Sequence, residues 1–206
     1  MASILKVDTI QDQSGNNIIN ENADTITIGA SGDTVNIVGT LQNGGTNFLQ
    51  GITEADQWRL TSSYTGNADP IASNLERIDN ATRGNGTLGT GMTESSGIFT
   101  FPSTGIWLIK FYRNGYKNGD SRSFDAYIKT TVNNSSYDIA TQGVSFVQQT
   151  DSNNTGVMSV CEVLFDVTNV TTHKCSFRTD DFATTTTLGS TDVNKTYMTF
   201  IRLGDT

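Results

Sequence analysis

Hydrophobic and polar residues alternate along most of this chain, which is the pattern of β-strands rather than of helices. Alternating segments recur at roughly ten-residue spacing, separated by turn sequences such as GNADP and TDSNNT. Many short strands with regular turns and no helical stretch predict an antiparallel β-sandwich or jelly roll. We expect strands over 57–64, 71–78, 97–101, 105–114, 122–132, 137–149, 156–167, 172–179 and 195–203.

Two local signals qualify this pattern. Residues 53–58, TEADQW, start with a capping residue followed by acidic residues, which predicts a short helical turn before the first strand. Gly143 lies inside a predicted strand, and an isolated glycine there predicts a β-bulge.

Ahead of these segments a short motif occurs twice. Asp-Thr-(Ile/Val)-x-Ile is found at 24–28 and again at 33–37. A lone two-stranded hairpin is marginal in water, so the apolar face needs a partner surface. We expect further copies of the same segment to supply it, as in the repeating stalks of trimeric fibres. The residues predicted to meet on the axis of this shaft are Ile26, Ile28, Val35, Ile37 and Leu41.

Composition agrees with a β-protein and suggests three regions. The 206 residues include 20 glycines, 2 prolines and 35% hydrophobic residues, which favours strands and polar turns over helices. This length allows one ordinary domain and an extension. We predict an N-terminal β-shaft region over 1–45, a neck over 46–56 and a jelly-roll head domain over 57–206.

Charge and the terminal sequence exclude several classes of function. The net charge is −8 and no cluster of Lys or Arg occurs, so nucleic acid is not an expected partner. The start, MASILKVDTI, lacks the apolar region of a signal peptide. No apolar run is long enough to cross a bilayer. We therefore expect a chain made in a cytoplasm, with no membrane insertion.

Candidate catalytic residues are few. Cys161 and Cys175 are predicted to be free thiols in the core, although they flank the turn at 168–171 and a cross-strand disulfide stays open. His173, the single histidine, shares a strand face with Cys175, but no orienting acid follows at a recognisable spacing. The favoured interpretation is a structural pair and a protein that is not an enzyme.

Metal and sugar sites are weighed in the same way. Four carboxylates lie near two loops: Asp120 and Asp125 at one, Asp180 and Asp181 at the other. Calcium prefers clustered oxygens, but no spacing here matches a calcium loop, so a solvated acidic face and no cofactor are favoured. Trp58 and Trp107 are aromatic residues suited to stacking on sugars, but we expect Trp107 in the core and Trp58 packed near the neck.

The segment SGIFTFPSTGIWLIKFYRNGY (96–116) resembles a signature of the complement-one-q/tumour-necrosis-factor-like jelly roll, in which G-x-F-x-x-P-x-x-G-x-aromatic joins two strands at a corner. The resemblance continues in KTYMTFIRL, which is similar to the closing strand of that fold. GVMSVCEVLFDV with THKCSFRT resembles its preceding hairpin. The resemblance covers about residues 57–203 and implies a jelly-roll head.

A second resemblance covers the N-terminal part. ILKVDTIQDQSGNNIIN followed by DTITIGASGDTVNIVGTLQNGG is similar to the opening of fibre-like structural proteins of marine bacteriophages. This resemblance implies a homotrimer whose N-terminal region binds other virion proteins. The chain lacks the collagen stalk of eukaryotic head domains, so their immune or hormone functions are not expected.

The function we expect is that of a trimeric phage tail fibre or spike, assembled in the host cytoplasm and located on the virion. Its head would bind a host-surface glycan or protein. A capsid-decorating head fibre remains an alternative, and a polysaccharide hydrolase, which needs paired carboxylates, is a weaker one.

Strand parity predicts which loops would touch the host. Loops 114–121, 150–155 and 182–194 should share one end, and loops 133–136 and 168–171 the other. The first three are polar and contain aromatic residues, as recognition surfaces do. The candidate contact residues are Tyr116, Lys117, Asp120, Asp151, Asn153, Asn154, Phe182 and Thr185.

Overall fold

The structure is a computed structural model that describes residues 38–39, 42–43, 46–47, 51–78, 81–84 and 86–206. The chain divides into two compact units, Met1–Leu49 and Gln50–Thr206. The predicted axis residues Ile26, Ile28, Val35, Ile37 and Leu41 lie outside the described residues, so the three-fold shaft stays a prediction.

The described residues form strands joined by turns. In chain order the strands are β1 (Gln42–Asn43), β2 (Thr46–Asn47), β3 (Ala55–Leu60), β4 (Tyr64–Thr65), β5 (Leu75–Arg77), β6 (Thr93–Ser95), β7 (Ile98–Thr100), β8 (Gly105–Lys117), β9 (Phe124–Thr131), β10 (Asp138–Gly143), β11 (Thr155–Val167), β12 (Lys174–Asp181), β13 (Thr186–Thr187) and β14 (Tyr197–Gly204). One 3-10 turn spans Ala81–Arg83. Among these residues no helix has the length and apolar character needed to cross a membrane. Every predicted strand segment overlaps an observed strand.

The second unit consists of two antiparallel sheets. One has the strand order β10-β9-β12-β7-β6. In the other, β8 pairs with β11 on one side and with β14 on the other, and β3 and β5 follow β14. The last part of β8 pairs instead with β13, which pairs with β4. The first unit contributes the short antiparallel pair β1-β2.

Alternate residues of the two sheets build an aromatic core. From the five-stranded sheet Phe99 and Phe177 point inward, with ring centroids 5.4 Å apart. From the other sheet Phe111 lies 5.1 Å from Phe177, and Phe200 lies 5.2 Å from Phe99. Each such side chain contributes about 1.5–3 kcal/mol when fully buried. The period-two alternation therefore fixes which face of each strand is inside.

The two tryptophans are structural. Trp107 is fully buried, and its indole Nε1 donates to the Ser103 carbonyl at 3.2 Å, which confirms its predicted core position. Trp58 packs edge-on against Phe99, with centroids 5.5 Å apart. Trp107 is therefore not available to a sugar, and Trp58 is half-buried, with Arg77 Cζ 5.1 Å from its ring centroid.

The corner before β8 needs glycine. Gly105 has a φ of +141°, and a Cβ there would lie 2.4 Å from the Gly204 carbonyl oxygen. A side chain would thus disrupt the approach of β8 to the closing strand. The preceding hairpin β6-β7 turns at Ser96 and Gly97, both with positive φ. That pattern is typical of a tight hairpin turn, although β6 itself was too short to predict.

The helical turn predicted for TEADQW is wrong, because β3 begins at Ala55. The acidic side chains do not cap a helix start. They accept backbone N–H groups of a neighbouring loop. Glu54 accepts the backbone N–H of Thr90 at 2.9 Å, and Asp56 accepts that of Met92 at 2.8 Å. An acidic cluster before a strand can therefore imitate a helix start.

The predicted bulge at Gly143 is also misplaced. The register of β10 against β9 shifts between Ile139 and Thr141. A glycine is required at position 143 for a different reason, because a Cβ there would lie 2.2 Å from the Val160 carbonyl oxygen. The glycine marks a close approach of two strands rather than an extra residue.

The predicted hairpin of GVMSVCEVLFDV with THKCSFRT does not form. β11 pairs with β8, whereas β12 pairs with β7 and β9, so the two strands belong to opposite sheets. Cys161 and Cys175 are accordingly both free and buried, as predicted, rather than joined across a hairpin.

Candidate functional site

Three long loops meet at one end of the sandwich, which we call the loop end: residues 118–123, 144–154 and 182–196. The register places Lys117 at the end of β8 opposite Thr155 at the start of β11, and Thr186 opposite Tyr116. Residues 132–137 and 168–173 meet at the other end, where the Asn134 N–H donates to the Thr172 carbonyl at 3.0 Å. The grouping predicted from strand parity is therefore confirmed.

The chain enters the second unit at the end opposite the loop end. The backbone N–H of Arg202, near the end of β14, donates to the Glu54 carbonyl at 3.0 Å, just before β3 begins. The sandwich thus receives the chain at one end and presents long polar loops at the other.

Hydrogen bonds hold the first two loops together. Asn118 Nδ2 donates to the Ser152 carbonyl at 3.1 Å, and Gln149 Nε2 donates to Asn118 Oδ1 at 2.6 Å. The Gln149 backbone N–H donates to Asp120 Oδ1 at 2.7 Å. These contacts give the loop end a defined shape, which reduces the ordering needed when it binds a partner.

The third loop is fastened to the same framework. Lys117 Nζ donates to the Thr184 carbonyl at 2.7 Å, and the Phe182 N–H donates to Ser123 Oγ at 2.8 Å. The Phe182 ring itself is 69% exposed. The backbone on either side of this aromatic side chain is therefore held, while the ring faces water.

A buried ion pair supports the loop end from below. Arg113 and Asp181 are 0% and 1% exposed, and Arg113 Nη1 lies 2.8 Å from Asp181 Oδ1. The guanidinium also donates to Thr187 Oγ1 at 2.9 Å and to the Asp125 carbonyl at 2.8 Å, and stacks on the Phe124 ring. A buried cation needs such partners on every side. This arginine consequently ties β8, β9, β12 and β13 together.

The predicted contact residues differ in their availability. Asp120, Asp151, Asn153, Asn154 and Phe182 are exposed, and Tyr116 and Lys117 are half-buried. Thr185 is 1% exposed, and its hydroxyl donates to Asp181. The prediction that Thr185 is a contact residue is therefore wrong. A threonine in a polar loop gave no signal that its hydroxyl faces an internal carboxylate.

Sequence reasoning missed Phe146, whose ring is 70% exposed at the loop end. The sequence predicts a strand over 137–149 that would include Phe146, but β10 ends at Gly143. The adjacent Val147 is buried. The available signal was that Phe146 and Val147 are adjacent apolar residues, because only one of two neighbours on an extended segment can point into the core.

The outer face of the sheet at β14, β8 and β11 carries exposed apolar side chains, and we call it the β11 face. Its rows are Tyr197, Tyr112 and Val160, and Ile201, Leu108 and Leu164, with Met158 beside Asn114. Leu164 and Met158 are 61% and 57% exposed. Tyr112 and Tyr197 stack at 4.5 Å, and Lys110 pairs with Glu162 at 2.7 Å. A polar row of Thr199, Lys110 and Glu162 separates the two apolar rows, so the exposed apolar surface is divided rather than continuous.

The thiols and the histidine are not arranged for catalysis. Burial raises the pKa of Cys161 to about 12 and also raises the pKa of Cys175, so both are neutral thiols near pH 7. The ring nitrogens of His173 lie 3.2 Å from Thr168 Oγ1 and 3.0 Å from Thr172 Oγ1. The histidine fastens a turn, as expected for a structural residue.

The acidic residues nominated for calcium have protein partners. Asp181 pairs with Arg113, Asp180 with Arg178, and Tyr127 Oη donates to Asp125 at 3.1 Å. In the part of the chain that the structure describes, no three His, Cys, Asp or Glu side chains are grouped to hold a metal ion.

No protein-family model matches this chain, and no curated protein matches it. Solved structures match in fold. The TNF Eiger from S. frugiperda has a TM-score of 0.55 at 13% identity, covering 76% of this chain and 96% of Eiger. Murine APRIL has a TM-score of 0.50 at 9% identity, covering 73% of this chain and 98% of APRIL. The second unit is therefore a tumour-necrosis-factor-like antiparallel jelly roll, as the resemblance implied.

Proposed function

We propose that this protein is a structural subunit of a bacteriophage virion, a trimeric tail fibre or spike whose jelly-roll head attaches the particle to its host. Residues 1–45 would bind other virion proteins, and the head would bind a glycan or protein of the host surface. The resemblance of the N-terminal sequence to marine phage fibre proteins supports the phage assignment.

The single observation that carries the attachment role is the separation of the two ends of the sandwich. The chain enters beside Glu54, and the loops of the opposite end are long, polar and fastened to one another. A module that is joined to a carrier at one end and is free at the other suits recognition at a distance. Exposed aromatic side chains within a polar rim, such as Phe182, are frequent in recognition surfaces.

The β11 face supports self-association. A lone subunit would leave Met158 and Leu164 in water, whereas a second copy would cover them. The number of copies, three, comes from the resemblance to trimeric fibres and from the repeated motif at 24–37. A rotational contact that closes after three copies forms a ring and leaves no apolar face exposed.

A binding role without catalysis or cofactor agrees with the chemistry of the described residues. The thiols are neutral because burial raises their pKa, and His173 is bonded to threonine hydroxyls. Nucleophilic catalysis needs an activated nucleophile beside a base.

The experiment that tests this proposal is immunogold labelling of purified virions with an antibody against residues 57–206. We expect gold at the tail, and we expect the antibody to slow adsorption of particles to host cells. Gold over the capsid shell would contradict the tail assignment and favour a head fibre. Particles without gold would overturn the virion assignment itself.

A further inference from the structure

A row of three exposed side chains crosses the loop end. Ser121 and Val147 exchange two backbone hydrogen bonds of 2.9 Å in an antiparallel bridge. Both residues are buried, so the next residues on each segment, Arg122 and Phe146, point to solvent and lie opposite one another. This pairing explains why a large aromatic ring is left exposed beside a buried valine.

Phe182 completes the row on the other side of the arginine. Its N–H is bonded to Ser123 Oγ, and Arg122 Cζ lies 5.3 Å from its ring centroid. A guanidinium at this distance interacts favourably with an aromatic face. We call Phe146, Arg122 and Phe182 the aromatic row.

A recess of about 420 Å³ adjoins the aromatic row, lined by Asp120, Ser121, Arg122, Phe146, Val147 and Gln148. Val147 and Ser121 are the buried residues of this lining, and Phe146 is its exposed aromatic residue. Asp120 is held by the Gln149 N–H, and the Ser121 hydroxyl donates to the Ser123 carbonyl at 2.7 Å. The recess is shallow and open to solvent, so it can contact one face of a small ligand but does not enclose it.

We propose that this recess is a subsite for one neutral hexopyranose unit of a host-surface polysaccharide. This inference rests on the proposed attachment function. The Phe146 ring would stack on the apolar C–H face of the sugar. Asp120 would accept from sugar hydroxyls, and Arg122 and Gln148 would donate to sugar oxygens.

Charge and size favour this ligand over two others. The recess contains one carboxylate and one guanidinium, so their charges cancel, while the chain carries −8 and repels polyanions. Acidic sugars are therefore disfavoured. The recess accommodates a sugar ring, whereas a protein receptor would need a much larger area around it.

The test uses the full-length protein and four tetrasaccharides: maltotetraose, cellotetraose, β-1,4-galactotetraose and tetragalacturonate. Saturation-transfer NMR and calorimetry report binding. We expect at least one neutral tetrasaccharide to bind, with the strongest saturation on ring C–H protons. Phe146→Ala should weaken binding about tenfold, and Phe146→Trp should retain it. The control Val132→Ala removes a similarly exposed apolar side chain at the other end, 62% against 70% for Phe146, and should bind normally.

Three results would overturn the subsite: no binding of any neutral tetrasaccharide, equal binding by Phe146→Ala, or binding of tetragalacturonate alone. Loss of phage adsorption in Phe146→Ala without saccharide binding would indicate a protein receptor and also reject the sugar. The proposed function fails separately. If virions carry no gold while the purified chain binds a tetrasaccharide through Phe146, the subsite stands and the attachment role falls.

Discussion

The outer faces of the two sheets differ in chemistry although both sheets share one core. On the five-stranded sheet, Lys129 pairs with Asp69 at 2.9 Å, and Arg178 lies 5.0 Å from the Tyr127 ring. The opposite β11 face has one charged pair, Lys110 with Glu162, and otherwise presents leucine, methionine, valine and stacked tyrosines. Charged pairs are compatible with a face that stays in water, whereas exposed side chains such as Leu164 and Met158 gain free energy when another surface covers them. In the proposed trimer, this difference would place the contact between copies on the β11 face.

The largest effect we expect comes from placing charge on the β11 face. Leu164→Asp with Met158→Asp should dissociate the proposed trimer, because an unpaired charge in a dry contact is costly. Sedimentation velocity checks this result. Lys129→Ala on the other face is the control and should leave the trimer intact. Equal sedimentation of both variants would remove the distinction between the faces.

The next largest effect we expect is a loss in the free energy of unfolding when the buried ion pair is removed, compared with a partly exposed one. Arg113→Ala leaves the Asp181 carboxylate buried without its cation, so we expect a loss of about 3–5 kcal/mol in the free energy of unfolding. Arg178→Ala removes partly exposed pairs with Asp180 and Asp69 and should cost about 0–1 kcal/mol. Urea unfolding at one fixed protein concentration measures both. Similar losses in the two variants would show that burial does not distinguish these pairs.

The third-largest effect we expect is on host adsorption, which should depend on the loop end and not on the other end of the sandwich. Replacing Tyr116, Lys117, Asn153 and Phe182 by Ala should leave the melting temperature near that of the wild type and slow host adsorption several-fold. Substitutions at Asn134 and Asn169 are matched controls at the other end and should adsorb normally. If only these controls impaired adsorption, the head would present the opposite end to the host.

The smallest effect is a pH dependence from the buried thiols. Burial raises the pKa of Cys161 from its ordinary value of 9.0 to about 12 and also raises that of Cys175. In the unfolded chain the thiol loses its proton near its ordinary pKa of 9.0, whereas in the folded chain it keeps the proton up to about pH 12. The stability that the buried neutral thiol contributes is therefore complete below pH 9.0 and is lost as the pH rises towards 12. Urea unfolding from pH 7 to 11 should show this fall, reduced in Cys161→Ala. An identical pH profile in that variant would contradict the assignment.

The sequence predicted the elements better than their connections. Strands such as β8 follow from local alternation of residues like Trp107 and Ile109, so the fold class was accessible. The supposed hairpin of β11 with β12 failed because sheet membership depends on distant partners. Strand β13 has two residues and leaves no periodic trace.

The loop end was only partly predictable for the same reason. Parity gave the grouping of the loops, because antiparallel strands alternate in direction. It could not tell that Thr185 turns inward towards Asp181 or that Phe146 turns outward beside Val147. Those orientations depend on backbone pairing between segments that are far apart in sequence.

The most direct test of the account is the molar mass of the full-length protein in solution, because the contact surface and the fibre role both require association through the β11 face. Size exclusion with multi-angle light scattering at micromolar concentration should give three times the chain mass of 22.2 kDa. A mass of 22.2 kDa would contradict the central claim, since a stable monomer would leave that apolar face in water.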